Sequence, residues 1–108
     1  MISASILTHD QFVSEGHGYV SADDLLLVVS RLQKDLIPIS TIELLHGEQA
    51  LHLIEGGVLS YPFEADDDLM TIRKSFDYYR RELDDALKTK RISAAEIWLY
   101  QDLESIKR

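Results

Sequence analysis

Four times along the chain an apolar residue is followed by Ser or Thr, then three places on by an acid or amide, and then by another apolar residue. The four are Leu7-Thr8…Gln11-Phe12, Val20-Ser21…Asp24-Leu25, Ile39-Ser40…Glu43-Leu44 and Ile92-Ser93…Glu96-Ile97. Each has the form of a capping box inside a hydrophobic staple. The hydroxyl and the acid or amide satisfy backbone N–H groups at a helix start, while the apolar pair fixes the angle at which the chain enters the helix. The box with Asp24 is the weakest, because Asp is shorter than Glu or Gln. The pattern predicts helices opening at Thr8, Ser21, Ser40 and Ser93.

The apolar spacing inside these segments supports most of that division. The Thr8 helix carries Phe12 and Val13 and stops at Gly16-His17-Gly18. The Ser21 helix runs to about Leu36 with Leu25, Val28, Val29, Leu32 and Leu36 on one stripe, broadened by Leu26 and Leu27. Ile37-Pro38 ends it, since the residue before proline is pushed out of the helical region. From 69 to 88 the positions Leu69, Ile72, Phe76, Tyr79, Leu83 and Ala86 alternate by threes and fours, a heptad stripe. The outer face of that helix pairs Arg73 with Asp77, Asp77 with Arg81, Arg80 with Asp84 and Asp84 with Lys88 at i,i+4. Asp66-Asp67-Asp68 stand at its positive end and Lys88, Lys90 and Arg91 at its negative end. The Ser93 helix turns Ala95, Leu99, Leu103 and Ile106 inward, and the short linker 89–92 folds the last two helices into an antiparallel hairpin.

The segment from Ser40 to Phe63 reads two ways. As a helix it aligns Leu44, Gly47, Leu51 and Ile54 and closes at Gly56, with Gly47 costing roughly 1 kcal/mol in its interior. As strands it reads 42–46, 49–55 and 58–63, joined by Gly47-Glu48 and Gly56-Gly57. The intact Ser40 staple and the Leu, Ala and Glu content favour the helix. The expected fold is therefore mainly α, a single domain over 1–108 built as a compact bundle of four to five helices with a C-terminal helical hairpin. The alternative is an α+β domain with a three-stranded antiparallel meander at about 42–63.

Charge adds an asymmetry. Residues 1–72 hold 12 acids against Arg31 and Lys34 only, while residues 73–108 hold 9 bases against 7 acids. The acidic part repels nucleic acid and suits a basic partner surface. No cysteine is present, which removes disulfides and thiolate chemistry and fits a reducing compartment. The longest apolar run, Leu25–Val29, is too short for a signal sequence or a membrane span, so a cytoplasmic location is expected.

Candidate chemistry is sparse. His9, His17, His46 and His52 include no i,i+3 or i,i+4 pair of the kind that sets two imidazoles on one helical face. Residues 15–24 resemble the second half of a calcium loop, but the first ligand position would be Val13, whose side chain offers no oxygen, and the closing bidentate glutamate would be Asp24, which is too short. The three aspartates at 66–68 are explained by the helix dipole. The basic group Arg73, Lys74, Arg80, Arg81, Lys88, Lys90 and Arg91 is interleaved with Asp77, Glu82, Asp84 and Asp85, which argues against direct nucleic-acid binding. No nucleophile triad or phosphate-binding glycine loop appears.

Tyr78, Trp98 and Tyr100 remain. They fit no inward stripe, and Trp and Tyr are enriched at the energetic centres of interfaces. The sequence thus leads to a non-enzymatic protein–protein interaction module without cofactor or metal: a small adaptor, inhibitor or regulator. It is expected to be homodimeric through the heptad stripe or the Trp98 face. An acidic mimic of nucleic acid is the alternative, followed by a metal-dependent enzyme using scattered histidines and carboxylates.

Overall fold

The structure, a computed structural model, describes residues 6–16, 18–47, 50–61 and 68–100. The elements in order are β1 (Ile6–Leu7), α1 (His9–Glu15), β2 (Gly18–Ser21), α2 (Ala22–Lys34), β3 (Ile39–His46), β4 (His52–Ser60), α3 (Leu69–Thr89) and β5 (Ala94–Leu99). The five strands form one mixed sheet in the order β1-β2-β5-β3-β4, with β1 and β2 parallel and the other neighbours antiparallel. The fold is α+β, and the expected helical bundle is wrong.

Two of the four capping patterns open helices. The Gln11 N–H donates to Thr8 Oγ1 at 3.2 Å and the Thr8 N–H to Gln11 Oε1 at 2.9 Å, a complete box at α1. At α2 the Asp24 N–H donates to Ser21 Oγ at 3.3 Å. Helix α3 is capped by Asp68, whose carboxylate accepts from the Thr71 N–H and hydroxyl; those bonds hold its carboxyl below the usual range. Asp66 and Asp67 lie outside the described residues.

The patterns at Ser40 and Ser93 serve strands instead. Ser40 sits inside β3 at a bulge, where the register against β5 slips between Ile39 and Thr41. Tyr79 reaches across from α3 to fasten it. Its buried hydroxyl accepts from the Tyr61 N–H at 3.0 Å and points its own proton at the Ile39 and Ser40 carbonyls, each 2.8 Å away. Burial pushes this phenol far above the ordinary tyrosine range. Ser93 ties three segments together: its N–H donates to the Leu45 carbonyl, its hydroxyl oxygen accepts from the Gly47 N–H, and its carbonyl accepts from the Ala22 N–H. It therefore starts β5, and the expected C-terminal helical hairpin does not form. Leu103 and Ile106 lie outside the described residues.

The meander alternative came nearer but is also incorrect. One hairpin, β3–β4, replaces three strands, and Gly56-Gly57 is no turn. Glu43 faces Val58 and Leu45 faces Leu53, so residues 54–57 swell out as an irregularity inside β4. A Cβ on Gly57 would stand 2.7 Å from the Ile54 carbonyl oxygen, which is why glycine sits there.

Topology then decides which side of the sheet is covered. β1 leads through α1 to β2, and β2 through α2 to β3, both moving one way across the sheet between parallel strands. β4 runs the opposite way and leads through α3 back to β5. Right-handed crossovers, the strongly favoured hand, put all three helices on the same face. The core agrees: Phe12 of α1, Leu25, Val28, Val29 and Leu32 of α2, and Phe76, Tyr79, Leu83 and Ala86 of α3 join Val20, Ile42, Leu44, Ala95, Ile97 and Leu99 in one buried cluster. The heptad stripe of α3 is thus spent on the chain's own sheet. No described helix is long and apolar enough to cross a membrane.

Candidate interaction surface

Strand side chains alternate between faces. With Ala95, Ile97 and Leu99 of β5 under the helices, Ala94, Glu96 and Trp98 project to the other side. The pairing register fixes their neighbours there. Trp98 stands opposite Thr41, which stands opposite Ser60. A second row runs Tyr19, Glu96, Glu43, Val58, with Ile6 beside Tyr19. A third runs Ser21, Ala94, Leu45, Leu53. Among the described residues, no helix covers this face.

The surface is mainly apolar and aromatic. Val58 is 50% exposed, Leu53 48% and Ile6 43%, while Trp98 and Tyr19 are half-buried among their strand neighbours. Leu45 and Ala94 are fully buried yet lie outside the helix-side cluster, so this side carries a small apolar floor of its own. Two half-buried carboxylates, Glu43 and Glu96, meet side by side across β3 and β5. The Tyr19 phenol is pushed above its ordinary pKa, first by burial, then by the charges of Glu96 and Glu43, and it is hydrogen-bonded to Glu96. Those causes place the phenol and both carboxylates in one electrostatic group.

The expected site residues part company here. Trp98 lies on the open face, although on a strand and not on a helix. Tyr78 packs against the helix-side cluster, its ring 5.7 Å from Tyr61 and 5.3 Å from Tyr79, so it belongs to the other side of the molecule. Tyr100 stands just beyond β5 and is half-buried, its N–H donating to the Pro38 carbonyl at 3.1 Å. Sequence reasoning missed Tyr19, Glu43 and Glu96. Glu43 looked like a capping residue, and only the strand register brings these three together.

The other candidates resolve quickly. His46 and His52 pair directly across β3 and β4, with ring centroids 6.0 Å apart. Among the described residues, no group of three or more His, Cys, Asp or Glu is placed to hold a metal ion. His17 lies outside the described residues. The calcium-loop outline is taken up by the end of α1 and by β2. Of the basic group on α3, Lys88 pairs with Asp84 at 3.0 Å, as expected. Arg80 turns instead to α2, donating to Gln33 Oε1 at 2.6 Å and Ser30 Oγ at 2.8 Å. No protein-family model matches the sequence, and no curated protein is detectably similar to it.

Proposed function

We propose that this protein is a non-enzymatic interaction module, an adaptor, inhibitor or regulator of another protein, that docks through the open face of its sheet. The observation that carries the reading is the one-sidedness of the fold. Five strands bury one face under three helices and leave Trp98, Tyr19, Val58, Leu53 and Ile6 on the other. A contiguous apolar and aromatic patch of this kind marks an interaction site. The lack of cysteine supports placing the protein in the cytoplasm.

The strand spacing gives the face an area on the order of 400 Å². A standard interface takes about 800 Å² from each partner, so the contact extends over a rim or is transient. A second copy stacked face to face about a two-fold through the centre would bring four carboxylates together. That favours a different protein over the homodimer. The mimic reading needs a string of carboxylates on one surface, whereas the open face carries two, set among apolar groups.

The test is affinity capture with three baits: wild type, a Trp98→Ala, Val58→Asp double variant, and Leu27→Asp as a control. Leu27 is 57% exposed on α2, on the helix side. A partner lost with the double variant and kept with the control supports the reading. The reverse pattern refutes it.

A further inference from the structure

We infer that His46 and His52 form a binding site for a zinc-type divalent transition metal, which clasps the open end of the β3–β4 hairpin. The site lies apart from the docking face and stands or falls separately from it.

The strand register brings the two imidazoles together. His46 and His52 are direct cross-strand partners, next to the pair Leu45 and Leu53 that faces the open side. Side chains alternate along a strand, so both rings leave the sheet on the opposite face. Their centroids are 6.0 Å apart and their planes are tilted by 41°, so the rings do not stack flat. Both residues are exposed, and among the described residues neither ring is held by a hydrogen bond or an ion pair. A neutral imidazole has one nitrogen lone pair to give, the donor that zinc, copper and nickel accept.

The backbone beneath the pair is fixed. Ser93, just ahead of β5, donates its N–H to the Leu45 carbonyl and accepts the Gly47 N–H on its hydroxyl, so His46 is bracketed on both sides. Gly47 turns with φ 133°, where the Ala50 carbonyl leaves no room for a Cβ, and His52 follows that tight turn. Two ligands on so firm a base lose little freedom when they take a metal.

Distance selects the ion. A zinc–imidazole bond is about 2.0–2.1 Å and the ring nitrogen lies about 1.1 Å from the ring centre, so each centroid would stand about 3.2 Å from the metal. A tetrahedral angle then sets the centroids about 5.2 Å apart, and the right angle of a square plane about 4.5 Å. The observed 6.0 Å is nearer the first. The exposed rings therefore close on zinc with a smaller swing than a tetragonal copper(II) or nickel(II) site requires. Two protein ligands leave two positions to water. That makes the metal exchangeable, unlike a structural zinc held by four protein ligands. Magnesium and calcium, which take oxygen donors, are not accepted.

The experiment titrates isotope-labelled full-length protein with zinc sulfate and follows the histidine ring C–H signals by NMR. The His46 and His52 signals should move together toward saturation at one zinc per chain, and excess zinc should raise the urea midpoint. Magnesium chloride should move neither signal. His46→Gln and His52→Gln should each weaken zinc binding roughly ten-fold or more, since the advantage of a second ligand is one of effective concentration. A His9→Gln, His17→Gln double variant, which removes the other two histidines, should bind zinc as the wild type does. Both single substitutions fall at exposed positions, and the amide spectrum of each variant reports whether it is folded. Ring signals unmoved by zinc, an undiminished response in either single variant, or a response lost with His9 and His17 would overturn the proposal. None of these outcomes bears on partner capture through Trp98 and Val58.

Discussion

Replacing Tyr79 with Phe removes one oxygen from the centre of the molecule and tests how α3 is fastened to the sheet. The ring stays, so the apolar contacts of a fully buried side chain are kept. What goes is the acceptor for the Tyr61 N–H at 3.0 Å and the donor shared by the Ile39 and Ser40 carbonyls at 2.8 Å. A net hydrogen bond is worth about 0.5–1.5 kcal/mol, and a buried group left without a partner costs about 1–3 kcal/mol. Ser40 keeps a second donor in the Ser60 hydroxyl at 3.3 Å, so the Tyr61 N–H and the Ile39 carbonyl bear most of the loss. The expected destabilisation is about 2–3 kcal/mol, a large share of the 5–15 kcal/mol typical of a domain. Urea unfolding followed by far-UV circular dichroism should show a lower midpoint at unchanged slope. The same substitution also alters the alkaline limb. Burial raises the folded-state pKa of Tyr79 above the unfolded value of about 10, so the folded state keeps a proton that the unfolded chain releases. That contribution is complete below pH 10 and is lost as pH rises beyond it, and the phenylalanine variant should lose stability less steeply there. A loss under about 0.5 kcal/mol at pH 7, or identical alkaline slopes, would refute the role given to this hydroxyl.

Further substitutions test other parts of the account. Leu36 adopts φ 56°, and the bonds from the Ile37 N–H to Leu32 and from the Leu36 N–H to Gln33 close α2 as a Schellman motif whose usual residue is glycine. Leu36→Gly should therefore raise stability by about 0.5–1 kcal/mol in thermal melts, since left-handed backbone costs a leucine about 1–2 kcal/mol and the glycine returns part of that as chain entropy. Gly47→Ala should be costly, about 2–3 kcal/mol by urea unfolding, because φ is 133° and the new Cβ would lie 1.8 Å from the Ala50 carbonyl oxygen. Glu43→Gln should stabilise the sheet by about 0.2–1 kcal/mol at low salt, with the gain shrinking as salt is added.

The helices were legible because their signals are local and redundant. At Thr8 and Ser21 a capping hydroxyl, an acid or amide and an apolar stripe agree, and in α3 the stripe Phe76, Tyr79, Leu83, Ala86 is the buried one. The strands were misread because a spacing of four suits both periods. Ala95 and Leu99 share a face on a helix at i,i+4 and on a strand as alternate residues, so that pair does not discriminate. Ile97 does, since it is apolar between them and buried, while Glu96 and Trp98 alternate outward. Ser40 and Ser93 have the composition of caps, but their backbone groups are claimed by Tyr79, Leu45 and Ala22, partners 39 to 71 residues away that only the fold brings near. The open face could be seen in part. Trp98 announced itself by type, whereas Tyr19, Glu43 and Glu96 have nothing in their local sequence that joins them.

The absence of cysteine allows the most direct measurement of the central claim, that one face of this sheet is built into the core and the other is left for a partner. Single cysteines placed at 95, 96, 97 and 98 along β5 would report their access to a maleimide without background. The account predicts rapid labelling at Glu96→Cys and Trp98→Cys. At Ala95→Cys and Ile97→Cys it predicts labelling slowed about a hundred-fold or more, as an opening free energy of about 3 kcal/mol implies. A partner captured by the wild-type protein should then protect positions 96 and 98. Protection with a helical period, slow labelling at both 96 and 98 in the free protein, or unchanged labelling with the partner bound would contradict it.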